Sequence, residues 1–157
     1  MKPTEEWRKL FFDLSDQAFF DLVRNYLGEI HTPFNKHTLL DRLEHFLLNK
    51  SNLEQLLSMV DSSDAAVLSA IDLLGTATIE QLYSLFSDQK PYYSFYTHLM
   101  NLEERLLICP VRGEKGVRSV VISPLLREEL KKRVIDIDLF LGCKKAAVKK
   151  KSPAYSW

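Results

Sequence analysis

Two groups of polar side chains in the second half of the chain are of types that contact nucleic acids. One group lies in the amphipathic segment after Pro91 and contains Tyr93, Tyr96, Thr97 and Asn101. Tyrosine can stack on a base or contact phosphate, and asparagine can pair with adenine. The second group is basic and contains Arg105, Arg112, Lys115 and Arg118. Because lysine and arginine neutralise phosphates, these eight residues together predict a DNA-binding surface.

Each of these residues also has a structural interpretation. Tyrosines at helical spacing often brace a helix against its neighbours, and they stay half exposed while doing so. Asparagine on a helix surface is often only solvated. The basic residues between Arg112 and Arg118 flank two glycines and are also typical of a polar turn.

A basic segment ends the chain and offers a further set of phosphate contacts. Lys144 and Lys145 are followed by the run Lys149–Lys151, and residues 127–157 carry nine basic against four acidic residues. We predict that Lys144 and Lys145 contact DNA phosphates. Basic ends of this kind also serve as solubilising tails or linkers, so that alternative stays open.

The sequence contains none of the common catalytic patterns. It lacks a Gly-x-x-x-x-Gly-Lys-Ser/Thr phosphate loop and a Gly-x-Ser-x-Gly turn. No two of its four histidines are spaced i, i+4 with a glutamate between them, and Cys109 and Cys143 have no ligand spacing. We therefore predict no catalytic residues, no cofactor, no metal and no small-molecule substrate.

The first sixty residues contain four helical patterns that each leave an apolar stripe to be buried. The stripes run over residues 7–14, 19–26, 39–47 and 53–60. Ser15 is expected to cap the second helix, and Ser51 with Glu54 has the pattern of a capping box for the fourth. The four helices are predicted to pack together as an N-terminal helical bundle over residues 1–60.

A second unit is predicted over residues 61–135. Asp61–Asp64 is a polar break that caps a helix, and Thr78 with Gln81 forms a capping box for the next one. A third helix begins near Tyr92, and two short apolar runs then flank a glycine-bounded turn. Three helices followed by a hairpin are the order of a winged helix-turn-helix with a two-stranded wing.

The whole chain is therefore predicted to be mainly α, within the α+β class. After the hairpin, Pro124 is expected to begin a trailing helix that reaches Arg133, because proline favours the first helical position. Residues 136–157 are predicted to be a basic tail or linker. The acidic start of the sequence does not look like a secretory signal, and no apolar run reaches the length of a membrane span, which predicts a cytoplasmic protein without membrane contact.

The segment FYTHLMNLEERLLIC, Phe95 to Cys109, resembles the recognition helix and first wing strand of winged-helix proteins. It departs from that pattern at Leu106, where the family commonly has glycine. More broadly, the helices around SSDAAVLSAIDLLGTATIEQLYSLF and the later SPLLREEL are similar to the helicase-associated N-terminal region of bacterial XPB-like helicases. This resemblance implies a module that is accessory to a helicase-type motor and works in DNA processing or transcription.

Charge leaves two functions open for the winged unit. Residues 61–126 contain five basic and eight acidic residues, a net charge of −3. The first hypothesis is a non-catalytic module that binds duplex or single-stranded DNA weakly through the third helix, the wing and the tail. The alternative is a protein-interaction scaffold that docks on a motor or another subunit without touching DNA. Clustering of Arg105, Arg112, Lys115 and Arg118 on one face would favour DNA, and their dispersal would favour a protein partner.

Overall fold

The computed structural model describes residues 2–30, 35–113, 116–136, 138, 140 and 141, and these form a mainly helical α+β fold. The helices are α1 (Pro3–Phe12), α2 (Asp16–Leu27), α3 (Lys36–Leu48), α4 (Lys50–Ser58), α5 (Ser62–Leu74), α6 (Ile79–Phe86), α7 (Tyr92–Glu104) and α8 (Arg127–Arg133). The strands are β1 (Ala77–Thr78), β2 (Ile108–Arg112) and β3 (Arg118–Ile122). The predicted fold class is confirmed. Among the described helices, none has the length and apolar content that crossing a membrane requires.

Side-chain caps fix the starts of three helices at the residues that the sequence predicts. The Ser15 hydroxyl accepts a hydrogen bond from the Ala18 N–H at the start of α2. Asp61 and Asp64 each accept a hydrogen bond from the other's backbone N–H at the start of α5. The predicted capping box of Thr78 begins α6. These caps satisfy backbone donors that a helix N-terminus leaves unpaired.

Two predicted helix starts are wrong. The cap of α4 is Asn49, whose side chain accepts from the Ser51 and Asn52 N–H groups, so Ser51 lies inside the helix. Glu54 pairs with Arg133, at 2.6 Å, and does not complete a capping box. The trailing helix α8 begins at Arg127, because Ser123–Leu126 first forms a turn in which the Leu126 N–H donates to the Ser123 carbonyl.

The hairpin of β2 and β3 gains a third, very short strand. The strand order is β1-β3-β2 with antiparallel pairing throughout, and Ala77 of β1 lies opposite Val120 of β3. In the hairpin, Cys109 lies opposite Val121 and Arg112 opposite Arg118. The predicted hairpin is therefore present as part of a three-stranded sheet, and we call β2 and β3 with their connecting turn the wing.

The sheet lies between two apolar cores. One face contributes Ile108, Val120 and Ile122 to a core that it shares with α5, α6 and α7. The opposite face contributes Cys109 to a core formed by α1, α2 and α3, with Val121 packed against it. This alternation follows from the two-residue period of a strand, which sends neighbouring side chains to opposite faces. The first three helices consequently cover one face of the wing.

Helix α4 connects the two cores. Its buried Leu57 belongs to the core of α5–α7, and Leu53 and Val60 pack against that core. Leu56 is packed against both cores. The division of the chain after residue 60 stays a prediction. The apolar side chains of α4 pack mainly on the core of α5–α7.

Candidate interaction surface on helix α7

Helix α7 presents a long polar side to solvent. Phe95, Leu99 and Leu102 are fully buried on its inner side. Its exposed outer face, as we call it, consists of Tyr93, Thr97, Asn101 and Glu104. Tyr93, Thr97 and Asn101 are exposed, Tyr93 to 80%, and their predicted contact with DNA stays a prediction. The outer face contains no lysine or arginine and one carboxylate.

Tyr96, the fourth predicted contact on α7, has a different environment. It is half-buried, packs against the core of α5–α7, and stacks on Tyr92 with ring centroids 6.2 Å apart. Tyr92 in turn meets Tyr83 of α6 edge to face at 5.1 Å. Tyr83, Tyr92 and Tyr96 form an aromatic ridge beside Tyr93. The ridge supports the beginning of α7, so the bracing role proposed for these tyrosines applies to Tyr96.

Arg105 is bound from several directions at the end of α7. Its guanidinium donates to the Asp64 carboxylate at 3.0 Å, to the Asn101 side chain at 3.1 Å and to the Met59 carbonyl at 3.1 Å. A guanidinium has five N–H donors, and these contacts use both terminal nitrogens. Arg105 therefore ties the end of α7 to the first turn of α5 and to Met59 before it.

Asp64 is the centre of a cluster that also contains His98, Lys90 and Arg105, which we call the Asp64 cluster. His98 Nε2 lies 2.6 Å from Asp64 Oδ1, and His98 Nδ1 lies 3.2 Å from the Lys90 ammonium, which also reaches Ser63. A neutral imidazole satisfies both contacts by donating from Nε2 and accepting at Nδ1. Burial raises the pKa of the Asp64 carboxyl, but hydrogen bonds from His98, the Asp61 N–H and Arg105 outweigh it and hold that pKa below its ordinary value.

Arg118, at the start of β3, pairs with a second buried carboxylate. One of its guanidinium nitrogens lies 2.6 Å from each carboxylate oxygen of Glu103. Glu103 is 8% exposed. Burial raises the pKa of its carboxyl, while the charge and hydrogen bond of Arg118 lower it, and burial prevails. The Arg118 side chain remains 40% exposed.

Three of the four basic residues predicted for the wing region are described, and they differ in their pairing, although Arg112 and Arg118 lie opposite each other in the hairpin register. Arg105 faces Asp64 and Arg118 faces Glu103. Arg112 is exposed at the end of β2 and makes no ion pair within the described part of the chain. Lys115, Lys144 and Lys145 lie outside the described residues. Of the three that are described, Arg112 is exposed without an ion pair in the described part of the chain, and Arg118 is paired but partly exposed.

Leu106 ends α7 with a left-handed backbone, φ 61°, at the position where the resembling family has glycine. Its side chain is fully buried in the core of α1–α3. Beside it, the Tyr26 hydroxyl of α2 donates to the Glu104 carbonyl at 3.0 Å, and burial raises the pKa of Tyr26 to about 12. These contacts hold the first three helices against the C-terminal end of α7.

The sequence pattern does not reveal the Asp64 cluster. It predicts a helix cap at Asp61–Asp64 and no role for His98. His98 and Arg105 are seven residues apart, which places them on the same side of a helix, so a polar contact to a neighbouring helix was detectable in principle. Nothing in the pattern indicated which carboxylate would meet them. In the described part of the chain, no group of three histidine, cysteine or acidic side chains has the arrangement of a metal site.

One family model matches part of the chain. The TP_0021_N family, described as an N-terminal domain, matches residues 1–48, which end together with α3. This match covers less than a third of the sequence and says nothing about α7 or the wing. No curated protein and no solved structure matches the chain. The resemblance to winged-helix proteins and to helicase-associated regions stays a prediction.

Proposed function

We propose that the chain is a non-catalytic protein-interaction module that docks on a partner protein through the outer face of α7. The observation that carries this proposal is the use of the nearby cations. Arg105 and Arg118 are paired with buried carboxylates, and the outer face itself has no positive side chain. The surface that contacts DNA in a helix-turn-helix is thus neutral to acidic here.

Pairing lowers the value of these arginines for phosphate binding. Arg118 is 40% exposed and binds Glu103 through one guanidinium nitrogen, so a phosphate that recruits Arg118 causes a partial loss of this pair. The same holds for Arg105 and Asp64, since Asp64 is 5% exposed. Each phosphate contact would have to offset that loss. A protein partner makes no such demand.

The composition of the exposed surface also favours protein docking. Tyrosine is enriched at protein interfaces, because its ring supplies a large contact area with little loss of rotamer entropy and its hydroxyl forms hydrogen bonds. Tyr93 is 80% exposed, and the ridge of Tyr83, Tyr92 and Tyr96 beside it fixes the backbone on which Tyr93 stands. An exposed aromatic side chain on a braced helix, with neutral polar neighbours, is a common centre of such an interface. By the resemblance described above, a helicase-type motor is the first partner to test.

DNA binding is the second candidate, and one observation favours it. Arg112 is exposed at the end of the wing and lies opposite Arg118 in the register of β2 and β3. Two arginines side by side at a wing can contact phosphates on either side of a groove. Lys115 and the basic residues Lys144 and Lys145 would add to this contact.

Two measurements on the full chain test the proposal. A photo-cross-linking amino acid at position 97, in the outer face, should give a discrete adduct with a partner protein in the native host, and Tyr93→Ala should abolish it. The same amino acid at the exposed Glu80 of α6 is the control and should give none. In fluorescence anisotropy at low salt, duplex and single-stranded DNA should bind no tighter than they bind an unrelated acidic protein. Salt-sensitive DNA binding that weakens in Arg112→Gln, or equal cross-linking from positions 97 and 80, would refute protein docking through α7.

A further inference from the structure

We propose that the cleft between α2 and the wing receives a lysine- or arginine-bearing segment of the partner protein. This inference rests on the proposed function and names the chemistry of the ligand. The cleft has a volume of about 610 Å³ and lies beside the C-terminal half of α7. Its walls come from the end of α1, from α2, and from the two wing strands.

The cleft combines apolar walls with an acidic rim. Leu14, Leu22 and Met100 supply apolar surface to its lining. Four carboxylates and two guanidinium groups also line it: Asp13, Asp21, Glu103, Glu104, Arg112 and Arg118. An amphipathic segment with basic and apolar side chains matches both parts of this lining.

The charges that remain after internal pairing are mainly negative. Glu103 and Arg118 neutralise each other. Asp13, Asp21 and Glu104 are exposed, and none of the three is in an ion pair within the described part of the chain. Among the cleft-lining residues that the structure describes, Arg112 is the one cation left to balance them. The rim therefore attracts a cation more strongly than a phosphate, and it steers a basic segment towards the cleft.

The cleft continues the outer face of α7. Tyr93, Met100 and Glu104 are spaced i, i+7 and i+11, which places them on one side of the helix. Tyr93 and Glu104 belong to the outer face, while Met100 and Glu104 line the cleft. A partner segment that begins on Tyr93 and follows α7 therefore meets Met100 next and brings a basic side chain to Glu104 and Asp21. The aromatic anchor and the acidic cleft form one continuous surface.

Charge-neutralising variants of the full chain test this inference with a matched control. The probe is a fluorescein-labelled amphipathic peptide of leucine and lysine, about three helical turns long, and its leucine–glutamate counterpart tests the sign of the charge. Asp21→Asn with Glu104→Gln removes two charges from the cleft. Glu80→Gln with Glu128→Gln removes two exposed charges elsewhere and changes the net charge equally.

Anisotropy titrations should show that the cleft pair binds the leucine–lysine peptide about tenfold more weakly than the unaltered protein does, since this variant lacks two of the three unpaired carboxylates of the rim. The control pair should change the affinity less than about twofold, and Arg112→Gln should tighten binding because it removes the opposing cation. Equal weakening in both pairs, or equal affinity for the leucine–glutamate peptide, would overturn the inference. Melting temperatures of all variants within a few degrees of the unaltered protein show that each variant is folded.

The two proposals fail in different ways. If position 97 cross-links to a partner but both charge pairs bind the peptide alike, the docking surface stands and the cleft has no basic ligand. If position 97 gives no adduct that depends on Tyr93, the proposed function itself is wrong, whatever the peptide does.

Discussion

Leu106 offers the sharpest test of how the fold is held together, because its backbone and its side chain have opposite effects on stability. A left-handed backbone costs a residue with a side chain about 1 kcal/mol relative to glycine. Leu106 has φ 61°, and its side chain is fully buried in the core of α1–α3. Truncating a buried leucine to alanine costs about 3 kcal/mol. The burial therefore exceeds the strain, which explains why leucine is accommodated there.

Substituting Leu106 by alanine and by glycine separates the two effects. Leu106→Ala loses the buried side chain and keeps the strain, so we expect its free energy of unfolding to fall by about 3 kcal/mol. Leu106→Gly loses the same side chain and releases the strain, so we expect a fall of about 2 kcal/mol. The glycine variant should thus be more stable than the alanine variant by about 1 kcal/mol, the reverse of the usual order.

Urea unfolding followed by far-ultraviolet circular dichroism measures these differences, and Leu99 supplies the matched control. Leu99 is also fully buried, but it lies in the middle of α7, where glycine is less favourable than alanine by about 1 kcal/mol. Leu99→Gly should therefore be less stable than Leu99→Ala. If glycine is the less stable substitution at both positions, the strain assigned to Leu106 is wrong.

Three further predictions concern other contacts of the fold. Lys36 donates to the carbonyls of Leu14 and Phe12, at 2.9 and 3.4 Å, so Lys36→Met should lower the free energy of unfolding in urea by about 2 kcal/mol. Lys50→Met, at an exposed position, is the control and should lower it by less than about 0.5 kcal/mol. The pKa of Asp64 is lower in the folded than in the unfolded chain, so the stabilisation by the Asp64 carboxylate is complete above the ordinary aspartate range and is lost as pH falls through the folded pKa. In acid titrations, Asp64→Asn should therefore lose less stability below about pH 4 than the unaltered chain does. Burial raises the pKa of the Cys109 thiol to about 12, so the folded Cys143→Ser variant should not react with iodoacetamide at about pH 8. A reaction before unfolding would contradict the burial of Cys109.

Local patterns predict much of this fold from the sequence. Apolar residues at helical spacing identify the helices, and the caps at Ser15, Asp61 and Thr78 begin helices at the predicted residues. These features depend on residues within one turn of each other, so a single stretch of sequence contains the necessary information. Where two caps compete within one turn, as Asn49 and Ser51 do before α4, the pattern alone does not decide, and the structure selects Asn49.

Contacts between distant segments could not be predicted in the same way. The partners of Arg105 and Arg118 lie 41 and 15 residues away, and the sequence offers other carboxylates for each of them. Which carboxylate is buried next to which arginine depends on how the helices pack. The candidate DNA-contact residues are identified by residue type and by position on α7 or the wing. Residue type does not reveal whether a charged side chain forms an ion pair within the protein.

The charge distribution gives a physical basis for the proposed protein docking. Affinity for DNA requires lysine or arginine side chains that neutralise phosphates and so release counterions from the DNA. Such side chains must not be held by ion pairs within the protein. Here Arg105 and Arg118 neutralise Asp64 and Glu103, two carboxylates that would be costly to bury alone. The pairings attach α7 to α5 on one side and to the wing on the other. The same arginines therefore stabilise the position of α7, and its outer face carries a tyrosine, neutral polar groups and one carboxylate, the composition on which the proposed docking rests.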